Sequence, residues 1–111
     1  MSERDKTVEC MVCTQSFASL GTLIGALDVE VEKEDWDEAE KTMREIENQK
    51  EILKHCLDIE TLEELETKIR ELKVGMKNRD KLALKSTLFD LMTYFRPRIS
   101  YDICAKVCGT K

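Results

Sequence analysis

At 111 residues the chain is the size of one domain and can bury only a modest core. Its net charge of −5 weighs against general nucleic-acid binding, and one Pro and four Gly among many Glu, Lys and Leu favour helix over strand. The charge is uneven: Asp28–Glu71 carries 17 acidic and 7 basic residues, whereas Lys73–Lys111 carries 9 basic and 3 acidic. Neighbouring helices of opposite sign account for this pattern. The sharper alternative is a basic surface of Lys73, Lys77, Arg79, Lys81 and Lys85 for an acidic partner or nucleic acid.

The first element is the most distinctive. From Cys10 to Leu27 the chain runs for 18 residues without a charge, although 37% of it is charged. Cys10, Cys13, Phe17, Leu20, Ile24, Leu27 and Val31 follow gaps of three and four, which predicts one helical stripe from about Asp5 to Lys33. Ser2 and Asp5 are spaced to cap it. The uncharged run touches the lower length limit for a membrane span. Its Thr, Gln, Ser and Gly residues, and the mixed charges of the preceding MSERDKTVE, favour a buried bundle helix and no signal peptide. Ala18, Gly21 and Gly25 form a small-residue strip that lets another helix approach closely.

A break at Lys33–Asp35 is short enough to force a neighbouring helix back alongside the first. Asp35 and Glu38 open a second helix, whose stripe is Trp36, Ala39, Met43, Ile46, Leu53 and then Cys56 or Leu57. Lys50 interrupts that stripe; it either snorkels to the surface or marks where the helix leaves the core. Thr61 and Glu64 predict a capping box for a third helix that buries Leu62, Leu65, Ile69, Leu72 and Met76. Asp80 caps a fourth, which buries Leu84, Leu88, Leu91, Met92 and Phe95 until Pro97 kinks or ends it. A last piece, Ile99 to Cys108, places Ile99, Ile103 and Val107 at steps of four, and Gly109 suits the position after its end. The prediction is an all-α, antiparallel up-down-up-down four-helix bundle with a short C-terminal helix after a proline kink, in one domain over 1–111.

That topology gathers the cysteines. The start of the first helix, the end of the second and the end of the fourth share one end of an antiparallel bundle. Cys10, Cys13, Cys56 and the lone His55 therefore meet there, and a bend at Pro97 returns Cys104 and Cys108 to the same place. Cys10 with Cys13, and Cys104 with Cys108, are spaced to lie on one helical face each. The candidate metal ligands are thus Cys10, Cys13, Cys104 and Cys108, with Cys56 and His55 in reserve. Four thiolates suit Zn²⁺ or an iron–sulfur cluster; two or three suit Cu(I). Against this stand inert packing thiols, since cysteine is a small buried hydrophobe, and disulfide or redox use. An odd number of cysteines without a secretion signal predicts a reducing cytoplasm, unless the source is hyperthermophilic.

No Glu-x-x-His pair, phosphate loop or zincin motif is present, and adjacent His55 and Cys56 diverge on a helix, so no catalytic residue is expected. Residues 35–95, through DWDEAEKTMREIE, His55 before a short connection, and DIETLEELETKIRELK, resemble an uncharacterised family of small bacterial four-helix proteins. The resemblance implies the fold and no activity. Members of that family look membrane-anchored at the N-terminus, whereas this front helix carries two Cys. WDEAEKTMREIE also resembles one tetratricopeptide unit, without the periodic partners a repeat protein needs. The functional expectation is a non-enzymatic helical interaction module, a regulator or adaptor with a protein partner. A cytoplasmic metal or redox protein and a small viral or mobile-element inhibitor of a host protein are the alternatives. Neither nucleic acid nor membrane is expected as a partner; self-association is left open.

Overall fold

The computed structural model describes residues 3–109, with side chains from Thr7 onward, so the expected cap at Ser2 and Asp5 lies outside the described residues. Among these residues the chain is all helical: α1 (Glu3–Glu32), α2 (Trp36–Leu53), α3 (Ile59–Asn78), α4 (Lys81–Asp90) and α5 (Arg96–Asp102). A π-helical turn at Leu91–Phe95 joins α4 to α5, and a second at Ile103–Val107 follows α5. The backbone is therefore helical without a gap from Lys81 to Val107, and the described residues form four helical rods.

Two of the connections use the same device. At the end of α1, Glu34 adopts φ 57°, its N–H donates to the Val31 carbonyl and the Asp35 N–H reaches back to Glu30. At the end of α3, Arg79 adopts φ 49°, with its N–H to Met76 and the Asp80 N–H to Gly75. These are Schellman closures built on non-glycine residues. In each, the next residue is an Asp that starts the following helix: Asp35 accepts from the Glu38 N–H (3.5 Å) and Asp80 from the Ala83 N–H (3.1 Å). Trp36, half-buried at the first turn, lies beneath the Arg79 guanidinium at 5.9 Å, which links the two turns.

The core is a single cluster along the predicted stripes. Leu20, Ile24, Leu27 and Val31 of α1 meet Ala39, Met43, Ile46 and Leu53 of α2, Leu65, Ile69 and Leu72 of α3, and Leu84, Leu88 and Leu91 of the last rod. Each rod packs on two others, α1 on α2 and α4, α3 on α2 and α4, which closes a ring. The molecule measures 47 × 22 × 17 Å, and α1, at 30 residues or about 45 Å, spans its length. The same helix is long and apolar enough to cross a membrane, but one of its faces forms the core.

Three expectations are corrected. Pro97 does not end the last rod. It directly follows a π turn that bonds the Arg96 N–H to the Leu91 carbonyl, and the rod continues through it into α5. Met92 is 41% exposed, not core. From Leu91 the buried apolar positions are Phe95, Ile99, Ile103 and Val107, a run of fours that would drift about 40° per step on an α-helix. The two wider turns absorb that drift and leave Met92 outside. Finally, Thr61 is not the N-cap of α3. The helix starts three residues earlier, after Asp58, and Thr61 is buried, accepting from Arg98, which also pairs with Glu64. Of the two readings of Lys50, the structure has the outward one: it reaches Glu51 (2.9 Å) and Glu66 (3.6 Å) while α2 continues to Leu53.

Candidate functional site

The cysteine-bearing end is the most specialised part of the molecule. Cys10 and Cys13 leave α1 about 60° apart around its axis, enough to reach different neighbours. Cys13 is buried and bonded to Cys56, just past α2, with Cα atoms 5.9 Å apart. Cys10, half-buried, is bonded to Cys108 after the second π turn, with Cα atoms 4.9 Å apart. Cys104 is an exposed free thiol one turn before Cys108. The thiols thus converge at one end, but pairwise. The expected ligand set of Cys10, Cys13, Cys104 and Cys108 is not assembled, because three of its four sulfurs lie in disulfides and the fourth points to solvent. Among the described residues no group of three or more His, Cys, Asp or Glu is arranged to hold a metal ion.

Polar contacts that the sequence pattern does not reveal fasten the last rod across this end. Asp102, buried at 6% exposure, accepts from the Asp58 N–H at 3.2 Å. Asp58 makes no side-chain cap of its own, so a carboxylate from another helix completes the N-terminus of α3. Lys106 donates to the Leu57 carbonyl at 3.0 Å and lies 3.8 Å from the Asp58 carboxylate. On the other side of α1, buried Ser16 donates to Gln49, at 2.8 Å to its side-chain oxygen.

Over the Cys13–Cys56 bridge, between α1 and the end of α2, lies a groove of about 690 Å³. Val8, Val12 and Ile52 line it, with Glu9, Glu51 and His55 among the residues around the bridge. All three apolar side chains are exposed. Glu51 is held below the ordinary carboxylate value by its hydrogen bond to Lys50 and the charges of Lys50 and Lys54, with which it pairs. The sequence pattern passed over these residues: Val8 and Val12 lie off the core stripe, and Ile52 is one residue before a core leucine. His55, expected near the thiols, lines this groove.

The five basic residues do not form one open surface. Lys73 pairs with Glu47 (3.0 Å), Lys81 with Glu32 (3.2 Å) and Lys85 with Asp28 (3.0 Å) and Glu32 (3.7 Å). Arg79 stacks on Trp36, and Lys77 is exposed. The basic half of the chain is thus spent largely on the acidic half. Comparison with protein-family models, curated proteins and solved structures finds no match for this chain.

Proposed function

We propose that this chain is a disulfide-clamped helical interaction module, non-enzymatic, that seats apolar side chains of a protein partner in the groove between α1 and α2. The observation that carries this reading is the groove itself: Val8, Val12 and Ile52 lie exposed around a covalent bridge that fixes the spacing of the two helices. We read the rods as an antiparallel up-down-up-down bundle. Glu30–Thr42, Ser16–Gln49 and Cys13–Cys56 move apart in sequence from the α1–α2 turn, in support. A bend near Pro97 would complete the return of Cys108 to Cys10. The resemblance of residues 35–95 to small bacterial four-helix proteins fits this fold and is proposed on its motifs alone.

Two disulfides favour an oxidising compartment, or the interior of a hyperthermophile, over the reducing cytoplasm expected from the cysteine count. The test of the module is photo-cross-linking in the source cells from a probe at Val8, which lines the same groove. A discrete partner is expected, lost in the Val12→Lys/Ile52→Lys variant, with the helical circular dichroism unchanged. If the captured proteins are the same for both chains, the groove is not the binding surface.

A redox response is the second reading. It is favoured by the exposed Cys104 thiol one turn from the half-buried Cys10–Cys108 bridge. Glutathione titration with peptide mapping decides it: a Cys10–Cys108 bridge that opens no earlier than Cys13–Cys56, with or without Cys104, removes this reading.

A further inference from the structure

Of the buried polar side chains among the described residues, all but one have a partner in the fold. Ser16 donates to Gln49 and Thr42 to Glu30, Thr61 accepts from Arg98, and Asp102 accepts from the Asp58 N–H. Thr87 of α4, 7% exposed, makes no side-chain hydrogen bond within the chain. Exposed Thr22 and Thr67, by contrast, return their hydroxyls to the carbonyl four residues back. Every fully enclosed side-chain nitrogen or oxygen among the described residues is paired, so the Thr87 hydroxyl oxygen is not fully enclosed. It opens where Thr87 lines a groove of about 420 Å³ between α3 and α4.

That groove is polarised along its length. At one end is the Arg70 guanidinium, bonded to the Thr67 hydroxyl at 3.1 Å and to no carboxylate. At the other, by the α3–α4 turn, are the Asn78 amide, which has no side-chain hydrogen bond in the chain, and Asp80, which uses one carboxylate oxygen on the Ala83 N–H. The Lys68–Asp90 ion pair and the Gly75–Leu84 contact bracket Thr87, which places its hydroxyl between the two ends. Glu71 is paired with Lys68 (3.7 Å), and exposed Val74 and Ala83 supply an apolar wall.

We propose that this groove binds a short free peptide in extended form, its carboxylate on Arg70, its ammonium at Asp80 and Asn78, and a backbone amide on the Thr87 hydroxyl. The charges select a dipolar ligand, since a simple anion would meet Asp80 and Glu71 and a simple cation would meet Arg70. Thr67 to Asn78 spans about 16 Å of helix. Allowing about 3 Å for the hydrogen bonds at each end leaves about 10 Å, the span of an extended tripeptide. The hydroxyl between the ends calls for a polar group there: a peptide amide can donate to it or accept from it, whereas a dipolar hydrocarbon chain would cover it with methylenes. A ligand of this size binds weakly, with a Kd on the order of 1 mM. This inference goes beyond the groove over Cys13–Cys56 and uses none of its lining residues.

Titration of the full, disulfide-bonded chain with triglycine to about 20 mM, followed by methyl NMR, tests it. Saturable shifts are expected at Val74, Ala83 and Thr87, with Val8 and Val12 unmoved. Thr87→Val is expected to weaken binding at least about fivefold without lowering the urea midpoint, because the hydroxyl has no bond in the fold to lose. Arg70→Gln, at an exposed side chain, is expected to weaken binding by a similar factor, and so is capping triglycine as its N-acetyl amide. The absence of a saturable shift in the wild type would overturn the proposal and leave the Thr87 hydroxyl to water. Equal affinity in either variant would overturn it too, as would a lowered urea midpoint in Thr87→Val, which would assign the hydroxyl to the fold. A capped peptide that binds as tightly as the free one would rule out recognition of the peptide's ends.

Discussion

A methyl group added at Gly75 would stand 2.8 Å from two carbon atoms of Leu84, which is itself buried at the α3–α4 contact. The same addition at Gly25 meets open space. Two helical glycines therefore have opposite roles. Gly75→Ala is expected to destabilise the fold by about 1–3 kcal/mol through overpacking. Urea denaturation, with Gly25→Ala as the reference that gains helix propensity, checks this. Gly21 is intermediate: its absent side chain leaves room for the Arg96 guanidinium, 3.0 Å from where a Cβ would stand, as that group lies over the Phe17 ring at 5.2 Å.

At the scale of elements, the ends of helices are where residues from distant parts of the chain take over local tasks. Asp58 has the composition of an N-cap and makes no cap bond; the carboxylate comes from Asp102, 44 residues later. Asp102→Ala would leave the Asp58 N–H and the α3 terminus without that acceptor, at a cost of about 1–3 kcal/mol. Asp102→Asn keeps an acceptor oxygen and is expected to cost less. Amide hydrogen exchange at Asp58 and through the first turn of α3 should accelerate in the Ala variant, in step with the loss of stability. The π turns belong to this scale too. The chain from Lys85 to Cys108 is longer than the facing stretch of α1 from Asp28 to Cys10, and turns that hold an extra residue take up part of the excess.

For the whole molecule, the two bridges close loops of very different span, with sequence separations of 98 and 43. By chain entropy each contributes roughly 4–5 kcal/mol alone, and less together because the loops overlap. Removing Cys10–Cys108 as the double Ser variant is expected to lower stability by about 2–4 kcal/mol and to leave Cys13–Cys56 intact, read from urea midpoints and from denatured intact mass. Surface ion pairs add a modest pH dependence. Glu32, hydrogen-bonded to Lys81, and Glu51, to Lys50, titrate below the ordinary value of 4.5. Their contribution is complete above that value and is lost as pH falls through their lower folded values. Lys50 with Glu51, Lys68 with Asp90 and Lys85 with Asp28 are raised above 10.5; their contribution is complete below it and is lost as pH rises through the folded values. Thermal melts of Cys104→Ser, in which thiol exchange cannot start at high pH, should show a plateau between these limits. Decline beginning near neutrality would contradict this assignment.

The apolar periodicity of the chain by itself determined the helices and most of the core, because a helix face must be buried and gaps of three and four mark it. Asp35 and Asp80 were legible as caps because their partners are three residues away. The run of fours at Ile99, Ile103 and Val107 was visible as well, and its conflict with α-helical drift was the available sign of the π turns. Tertiary structure alone decided which cysteine met which: Cys10 and Cys13 lie within one turn, and only the positions of α2 and the last rod separate their targets. It also decided Asp102 as the cap of α3, the pairing of Lys73, Lys81 and Lys85 with carboxylates far along the chain, and the groove of Val8, Val12 and Ile52. Each depends on a distance between residues remote in sequence, which local spacing does not encode.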